Sequence, residues 1–173
     1  MADTATYDLI ASQTLASAAS SITFSSIPAS WTDLRLILVG TFSTGVPGYP
    51  PSLQFNGDTA TNYSYTLVNG SGASASSLSQ PSYYWIYCGQ NTGWSTTLPS
   101  MASMDIFSYA GSTNKTSLIA SSNDLNGSGN SERVVGLWCS TAAITSIKLS
   151  INNNASYSYA IGTTATLYGI KSA

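Results

Sequence analysis

Apolar and polar positions alternate with a period of two over most of this 173-residue chain. This period is typical of β-strands that bury one face, because successive side chains point to opposite sides of a strand. The runs that are alternating or apolar lie at residues 22–24, 33–41, 53–55, 83–88, 135–139, 147–151 and 165–169. The run at 33–41 is apolar on nearly both faces, so we expect its strand to lie inside a sheet.

Turn signals separate these runs, and Asn-Gly pairs favour the left-handed backbone conformations that tight turns need. About ten short strands with frequent turns predict an all-β fold, either a single antiparallel β-sandwich or a barrel. Helix is expected to be scarce because the chain contains 32 Ser and 20 Thr, which compete with the backbone for hydrogen bonds. One helical turn at 15–21 and exposed loops at 71–80 and 125–131 complete the prediction.

The length predicts one domain. We expect residues 16–173 to form the β-sandwich domain, and residues 1–15 to form an N-terminal arm or edge strand. The alternation at the start of the chain makes Tyr7 and Leu9 candidates for contact with a neighbouring sheet.

The run at 83–88 is rich in aromatic residues, with Tyr83, Trp85 and Tyr87 on one face of the predicted strand. Two interpretations stay open for it. The strand is central and buried on both faces, or its second face contacts another subunit, where Tyr and Trp are favoured. The second interpretation makes these three residues interface candidates.

Charged residues make up 7% of the chain, there is no His, and the net charge is −2. Without His, Ser-His-Asp and Cys-His catalytic arrangements cannot be built, and zinc binding is disfavoured. The carboxylates are scattered along the chain, and no basic cluster for nucleic acid or apolar run for a membrane helix is present. We therefore expect a protein that is not an enzyme, that needs no cofactor and that works by packing against neighbours without charge repulsion.

Single residues add four expectations. Asp33 and Arg35 share one face of their strand, and Arg35 between apolar neighbours is a candidate for a partner contact. The Glu132-Arg133 pair is expected to be surface charge at a strand end. Cys88 and Cys139 both end apolar runs and are expected to be reduced, buried thiols. Oxygen ligands cluster at Asn56-Gly-Asp58 and 124–130, but they lack the ligand count of an EF-hand loop.

Segments from end to end of the chain, about half of it in total, resemble a family of small virion proteins of tailed phages, common in marine and freshwater phages and cyanophages. They include Tyr-Asp-Leu-Ile-Ala-Ser-Gln-Thr-Leu at 7–15, Trp-Thr-Asp-Leu-Arg-Leu-Ile at 31–37, Leu-Gln-Phe-Asn-Gly-Asp at 53–58, Asn-Tyr-Ser-Tyr at 62–65, Gly-Leu-Trp at 136–138 and Ala-Thr-Leu-Tyr-Gly-Ile-Lys at 165–171. The resemblance implies a virion structural protein with a β-sandwich or jelly-roll-like fold. It supplies no active-site residues, and it leaves the position on the particle open.

From the residues and the resemblance together we expect a capsid decoration protein, made in the host cytoplasm without a signal peptide. It would assemble, as a homotrimer, on the major capsid protein. The alternative is a tail-fibre domain that binds a host glycan, because aromatic rings stack on sugars and amides hydrogen-bond to their hydroxyls. For that alternative the candidate residues are Tyr49, Tyr63, Tyr65, Trp94 and Tyr157.

Overall fold

The structure is a computed structural model, and it describes residues 6–44, 49–89, 93–123 and 129–171. Within these ranges the chain forms 12 strands in two antiparallel sheets and no helix, which confirms the predicted all-β sandwich. The described ranges contain no helix, and therefore no helix that is long and apolar enough to cross a membrane.

The larger sheet has eight strands in the order β1-β12-β3-β8-β9-β10-β5-β6, and the smaller has four in the order β2-β11-β4-β7. Their bounds are β1 Tyr7–Thr14, β2 Ser21–Phe24, β3 Asp33–Gly40, β4 Pro51–Phe55, β5 Tyr63–Gly70, β6 Ala75–Tyr83, β7 Ile86–Tyr87, β8 Ser100–Phe107, β9 Lys115–Asn123, β10 Asn130–Trp138, β11 Ile147–Ile151 and β12 Thr164–Ile170. As expected, β3 lies inside its sheet, between β12 and β8.

The core lies between the sheets and is built from every second residue of the strands that face it. Leu34, Leu36 and Leu38 of β3 are fully buried there. The sheets approach closely at Gly136 of β10, where an added Cβ would lie 2.7 Å from side-chain carbons of Ile86 on β7. A larger residue at this position would force the two sheets apart.

β1 is an edge strand of the large sheet. It pairs with β12 along its length, with an irregularity between Leu9 and Ala11. At one end the Asp8 carboxylate accepts hydrogen bonds from Trp31 Nε1 at 2.8 Å and lies 2.7 Å from Lys171 Nζ. Residues 7–14 are therefore integrated into the sheet of their own chain.

Two predicted elements differ from the structure. Residues 75–80, expected in a loop, belong to β6 and pair with β5. The prediction is wrong because most side chains of this edge strand segment are Ser or Gln, which give little apolar sequence signal. The expected single strand at 83–88 is divided, since β6 ends at Tyr83 and β7 begins at Ile86 in the other sheet. Gln54 Nε2 donates to the Tyr84 carbonyl at 3.0 Å, which holds the crossing between the sheets.

Two further expectations concern the helical turn at 15–21 and the loop at 125–131. Residues 15–21 form no helix, and Ala19 makes a β-bridge with Tyr159 instead. Of the loop expected at 125–131, residues 125–128 lie outside the described residues, and residues 130–131 begin β10.

Candidate interaction surface

The side chains of the eight-stranded sheet that point away from the small sheet form one continuous surface, called here the outer face. Strand register aligns one residue from every strand in a row across it. From β1 to β6 this row is Leu9, Tyr168, Arg35, Asp105, Leu118, Val135, Thr66 and Ser79. Residues that lie more than 100 positions apart in the chain are thereby neighbours on one surface.

The outer face is unusually apolar for an exposed sheet surface. Eleven large hydrophobic side chains of the described residues are exposed, and seven of them lie on this face. They are Tyr7, Leu9, Val68, Met101, Phe107, Leu118 and Val135. Eight strands spaced about 4.8 Å apart, each contributing roughly 25 Å of length, give a face on the order of 1,000 Å². Exposed hydrophobic side chains gathered on one face are typical of interaction sites.

A pair of opposite charges lies near the centre of the outer face. Arg35 Nε and Nη2 donate to the two carboxylate oxygens of Asp105 at 2.6 and 2.8 Å. Arg35 Nη1 also donates to the Tyr7 hydroxyl at 3.0 Å, and the guanidinium carbon lies 5.5 Å from the centroid of that ring. The hydrogen bonds that Arg35 donates to Asp105 raise the pKa of Arg35, which keeps the guanidinium charged beside the carboxylate.

Three of the predicted interface residues lie together at the β1 side of this surface: Tyr7, Leu9 and Arg35. Tyr7 also packs edge to face on Tyr168 of β12, with ring centroids 6.5 Å apart. The side chain of Leu9 is 63% exposed, the most of any outer-face hydrophobic residue. The structure thus places an aromatic ring, an aliphatic side chain and a paired guanidinium on the β1 half of the outer face.

The other three predicted interface residues lie elsewhere, in an aromatic cluster where the chain crosses between the sheets. Tyr83 lies 5.1 Å from Trp85 and 5.7 Å from Tyr87, measured between ring centroids. Tyr65 packs against both Tyr83 and Tyr87 at 5.8 Å. Tyr87 is buried within its own chain, and its hydroxyl donates to Asn152 Oδ1.

Burial raises the pKa of Tyr87 and of Tyr65 well above the ordinary value of a tyrosine. Both hydroxyls therefore stay protonated at neutral pH. Tyr83 and Trp85 are half-buried, and within this cluster Tyr84 is the most exposed residue. The cluster closes one end of the core with rings that mostly contact each other.

A shallow groove of about 460 Å³ lies on the outer face between β6, β5 and β10. Its walls include Ser64, Thr66, Ser79 and the apolar residues Val135 and Leu137. No charged residue lines it within the described part of the chain. A groove of this chemistry suits a neutral, hydroxyl-rich or apolar ligand.

The residues considered for glycan stacking are mostly inaccessible. Tyr63, Tyr65 and Trp94 are buried in the core, so their ring faces cannot meet a sugar. Tyr49 and Tyr157 stack on each other, with centroids 5.6 Å apart and planes inclined by 28°.

Several charged and polar residues have positions that the sequence did not indicate. Glu132, expected at the surface, is buried, and it accepts hydrogen bonds from Ser121 Oγ at 2.7 Å and Asn69 Nδ2 at 3.0 Å. Cys88 is buried as predicted, but Cys139 is exposed, because it follows the last residue of β10 at the sandwich rim.

The possible ligand loop at Asn56-Gly-Asp58 is used within the fold. Asp58 Oδ2 accepts from Trp138 Nε1 at 2.7 Å and from Asn62 Nδ2 at 2.9 Å, and Asn56 Oδ1 accepts from the backbone of Thr145 and Ser146. In the described ranges there is no group of three or more Cys, Asp or Glu side chains that could hold a metal ion. Most of the second cluster, at 124–128, lies outside the described residues.

The most important residues missed at the sequence level are the exposed hydrophobics of β8, β9 and β10. Asp105 was also missed as the partner of Arg35, because strand order decides which charges meet. The available signal was weak. Leu118-Ile119 and Val134-Val135 are adjacent apolar pairs. In a strand, one residue of each pair must point away from the protein core.

Comparisons with known proteins show little. No family model matches the chain. No curated protein matches it either. One solved structure that resembles it is the botulinum neurotoxin serotype D/C VPI 5993 binding domain, at 10% sequence identity and a TM-score of 0.27. That comparison covers 88% of this chain and 38% of the other, and the similarity is too low to carry an argument.

Proposed function

We propose that this protein is a non-enzymatic structural protein of a tailed-phage particle, a capsid decoration protein that docks on the major capsid protein through its outer face. The observation that carries the proposal is the concentration of exposed hydrophobic side chains on that one surface. A protein that works by packing against neighbours depends on such a surface.

The size of the outer face fits a specific interface. Stable protein contacts bury about 800 Å² on each partner, and the face offers on the order of 1,000 Å². On a capsid the same contact is repeated on many subunits, so a modest affinity of each site is enough for full decoration. The composition agrees with this, because a chain with 7% charged residues meets little electrostatic repulsion at a large contact.

The Arg35–Asp105 pair supplies orientation to a surface that carries many exposed hydrophobic side chains. Apolar contacts are non-directional, so they do not by themselves fix how two faces align. A fixed pair of opposite charges near the centre favours the one alignment in which the partner offers complementary groups. The resemblance to small phage virion proteins supports the same function.

The test is the number of copies per virion. Purified particles of the phage that encodes this chain are quantified by mass spectrometry against the major capsid protein. Hundreds of copies per particle are expected for a decoration protein, and a few to a few dozen indicate the tail. Absence of the chain from purified particles contradicts the proposal.

A second candidate function is glycan binding by a tail-fibre domain, and the uncharged groove beside Gln80 is the observation that favours it. Hydroxyl groups there can hydrogen-bond to a sugar, and Leu137 and Val135 can contact its apolar face. Titration of the protein with host-surface polysaccharide, followed by NMR, tests this candidate. Saturable shifts of Thr66, Ser79 and their neighbours that are lost in Thr66→Ala support it, and no shift at millimolar sugar rejects it.

A further inference from the structure

The four sheet edges of the sandwich differ in how well they are protected against pairing with another strand. In the small sheet the edge strands are β2 and β7, with four and two residues. In the large sheet β1 is interrupted by its irregularity after Leu9 and carries the Asp8–Lys171 ion pair. Short strands, bulges and charges are the usual devices that prevent edge-to-edge association.

The remaining edge, β6, has almost none of these devices. It is nine residues long, its sequence is Ala-Ser-Ser-Leu-Ser-Gln-Pro-Ser-Tyr, and it carries no charge. Its pairing with β5 is regular from Ala75 to Gln80, and Pro81 lies beyond this regular segment. Six consecutive residues thus form a straight, neutral and mostly exposed edge.

The phase of the hairpin shows which backbone groups point outward. Ser71 N–H donates to the Ser74 carbonyl at 3.0 Å, which fixes the hydrogen-bonded pairs between β5 and β6. Because such pairs alternate, Leu78 bonds to β5, whereas Ser77 and Ser79 direct their N–H and C=O groups away from it. No backbone group of Ser77 or Ser79 bonds to another strand within the described residues.

We propose that β6 is a dimerisation edge, at which a second copy of this chain adds its own β6 antiparallel across a two-fold axis near Leu78. In this arrangement Ser77 of one copy lies opposite Ser79 of the other, and their outward groups satisfy each other on both sides of the axis. The contact joins two uncharged strands, so the identical copies do not repel each other there.

The two-fold contact also makes the outer faces of two copies continuous, which doubles the apolar surface that one assembly unit offers. The inference goes beyond the proposed function and does not depend on it. Strand pairing over six residues buries less than a standard interface, so the dimer is expected to be weak and to depend on protein concentration. The homotrimer predicted from the sequence would need a separate contact.

The test uses charge placed on the proposed edge. In the double variants Ser77→Lys/Ser79→Lys and Ser77→Glu/Ser79→Glu, like charges face each other across the axis, whereas a mixture of the two places opposite charges there. Ser12→Lys/Thr14→Lys adds the same charges to the exposed side of the β1 edge and serves as the matched control. Sedimentation velocity over 1 µM to 1 mM, with thermal unfolding to confirm folding, is the measurement.

The expected result is a concentration-dependent dimer for the natural chain and for the β1 control. Each charged β6 variant alone is monomeric, and the equal mixture recovers the dimer with an affinity at least equal to that of the natural chain. A natural chain that stays monomeric to 1 mM overturns the proposal. So does an assembly that persists in both β6 variants, or that the β1 control loses equally.

Discussion

Arg35 on β3 and Asp105 on β8 are register partners, and the guanidinium donates to both oxygens of the carboxylate, at 2.6 and 2.8 Å. The pair lies within a row of otherwise uncharged side chains that crosses the whole sheet. Both side chains are part-exposed, so solvent screens their attraction and their contribution to stability is modest. Their larger effect is to place two opposite charges at a fixed position on an apolar face.

The first prediction concerns this pair. Arg35→Ala leaves Asp105 without its partner and is expected to lower the free energy of unfolding by about 1 kcal/mol. The double variant Arg35→Ala/Asp105→Ala loses less than the sum of the two single variants, because it leaves neither charge unpaired. Urea unfolding of the four proteins gives the coupling, and strict additivity would show that the two residues do not interact.

The second prediction concerns acid stability through Asp58. Burial alone raises the pKa of this carboxyl, but hydrogen bonds from Asn62, Trp138 and the Ala60 backbone together lower it below its usual 3.8. The folded state therefore binds a proton less readily than the unfolded state, and stability is kept above about pH 4 and lost below it. Asp58→Asn is expected to be less stable at pH 7 and to lose less on acidification, as measured by urea unfolding from pH 7 to pH 2.5. An acid slope as steep as that of the natural chain rejects this role.

The third prediction concerns alkaline stability. Burial raises the pKa of Tyr63, Tyr65, Tyr87 and Tyr159 above the usual 10.0. In the unfolded chain these groups ionise near pH 10, so their contribution to stability is intact below that pH and is lost as the pH rises further. Tyr65→Phe, which removes one such group, should weaken the alkaline loss of stability with little change at pH 7. Absorbance at 295 nm reports the ionisation, and titration of all eleven tyrosines near pH 10 in the folded protein would contradict the burial.

The fourth prediction concerns the two thiols. Cys139 is exposed and Cys88 is buried, with burial raising the pKa of its thiol. One equivalent of thiol is therefore expected to react quickly with an aromatic disulfide reagent in the native protein, and two in denaturant. Cys139→Ser should remove the fast phase and Cys88→Ser should keep it. Two fast equivalents in the native state would show that Cys88 is accessible.

The sequence predicts strands well where one face is clearly apolar. The leucines of β3 and the alternating residues of β11 and β12 lie in the core as their period requires. Prediction from the sequence fails for β6, an edge strand without an apolar face. It also fails between Tyr83 and Tyr87, where one apolar run contributes strands to both sheets. Period alone contains no information on a crossing between sheets.

The candidate interaction surface was predictable only in part. Tyr7, Leu9 and Arg35 follow from local composition, and the structure places them on one face. The apolar centre at Leu118 and Val135 depends on strand order, which brings β9 and β10 beside each other and beside β8 and β5. Pairs such as Asp58 with Trp138 join residues 80 positions apart, and no local pattern predicts them.

The proposed docking of the outer face on the particle is tested most directly by comparing how two charge-neutral double variants bind to particles. Leu118→Lys/Val135→Glu keeps the net charge and places a cross-strand ion pair at the centre of the face. Leu98→Lys/Ile161→Glu makes the same change at two exposed hydrophobics elsewhere on the molecule. Each folded protein, its fold checked by circular dichroism, is added to phage particles grown without this chain, and bound copies are counted. At least a tenfold loss of binding is expected for the first variant and natural binding for the second, whereas equal binding of the two would show that the outer face is not the docking surface.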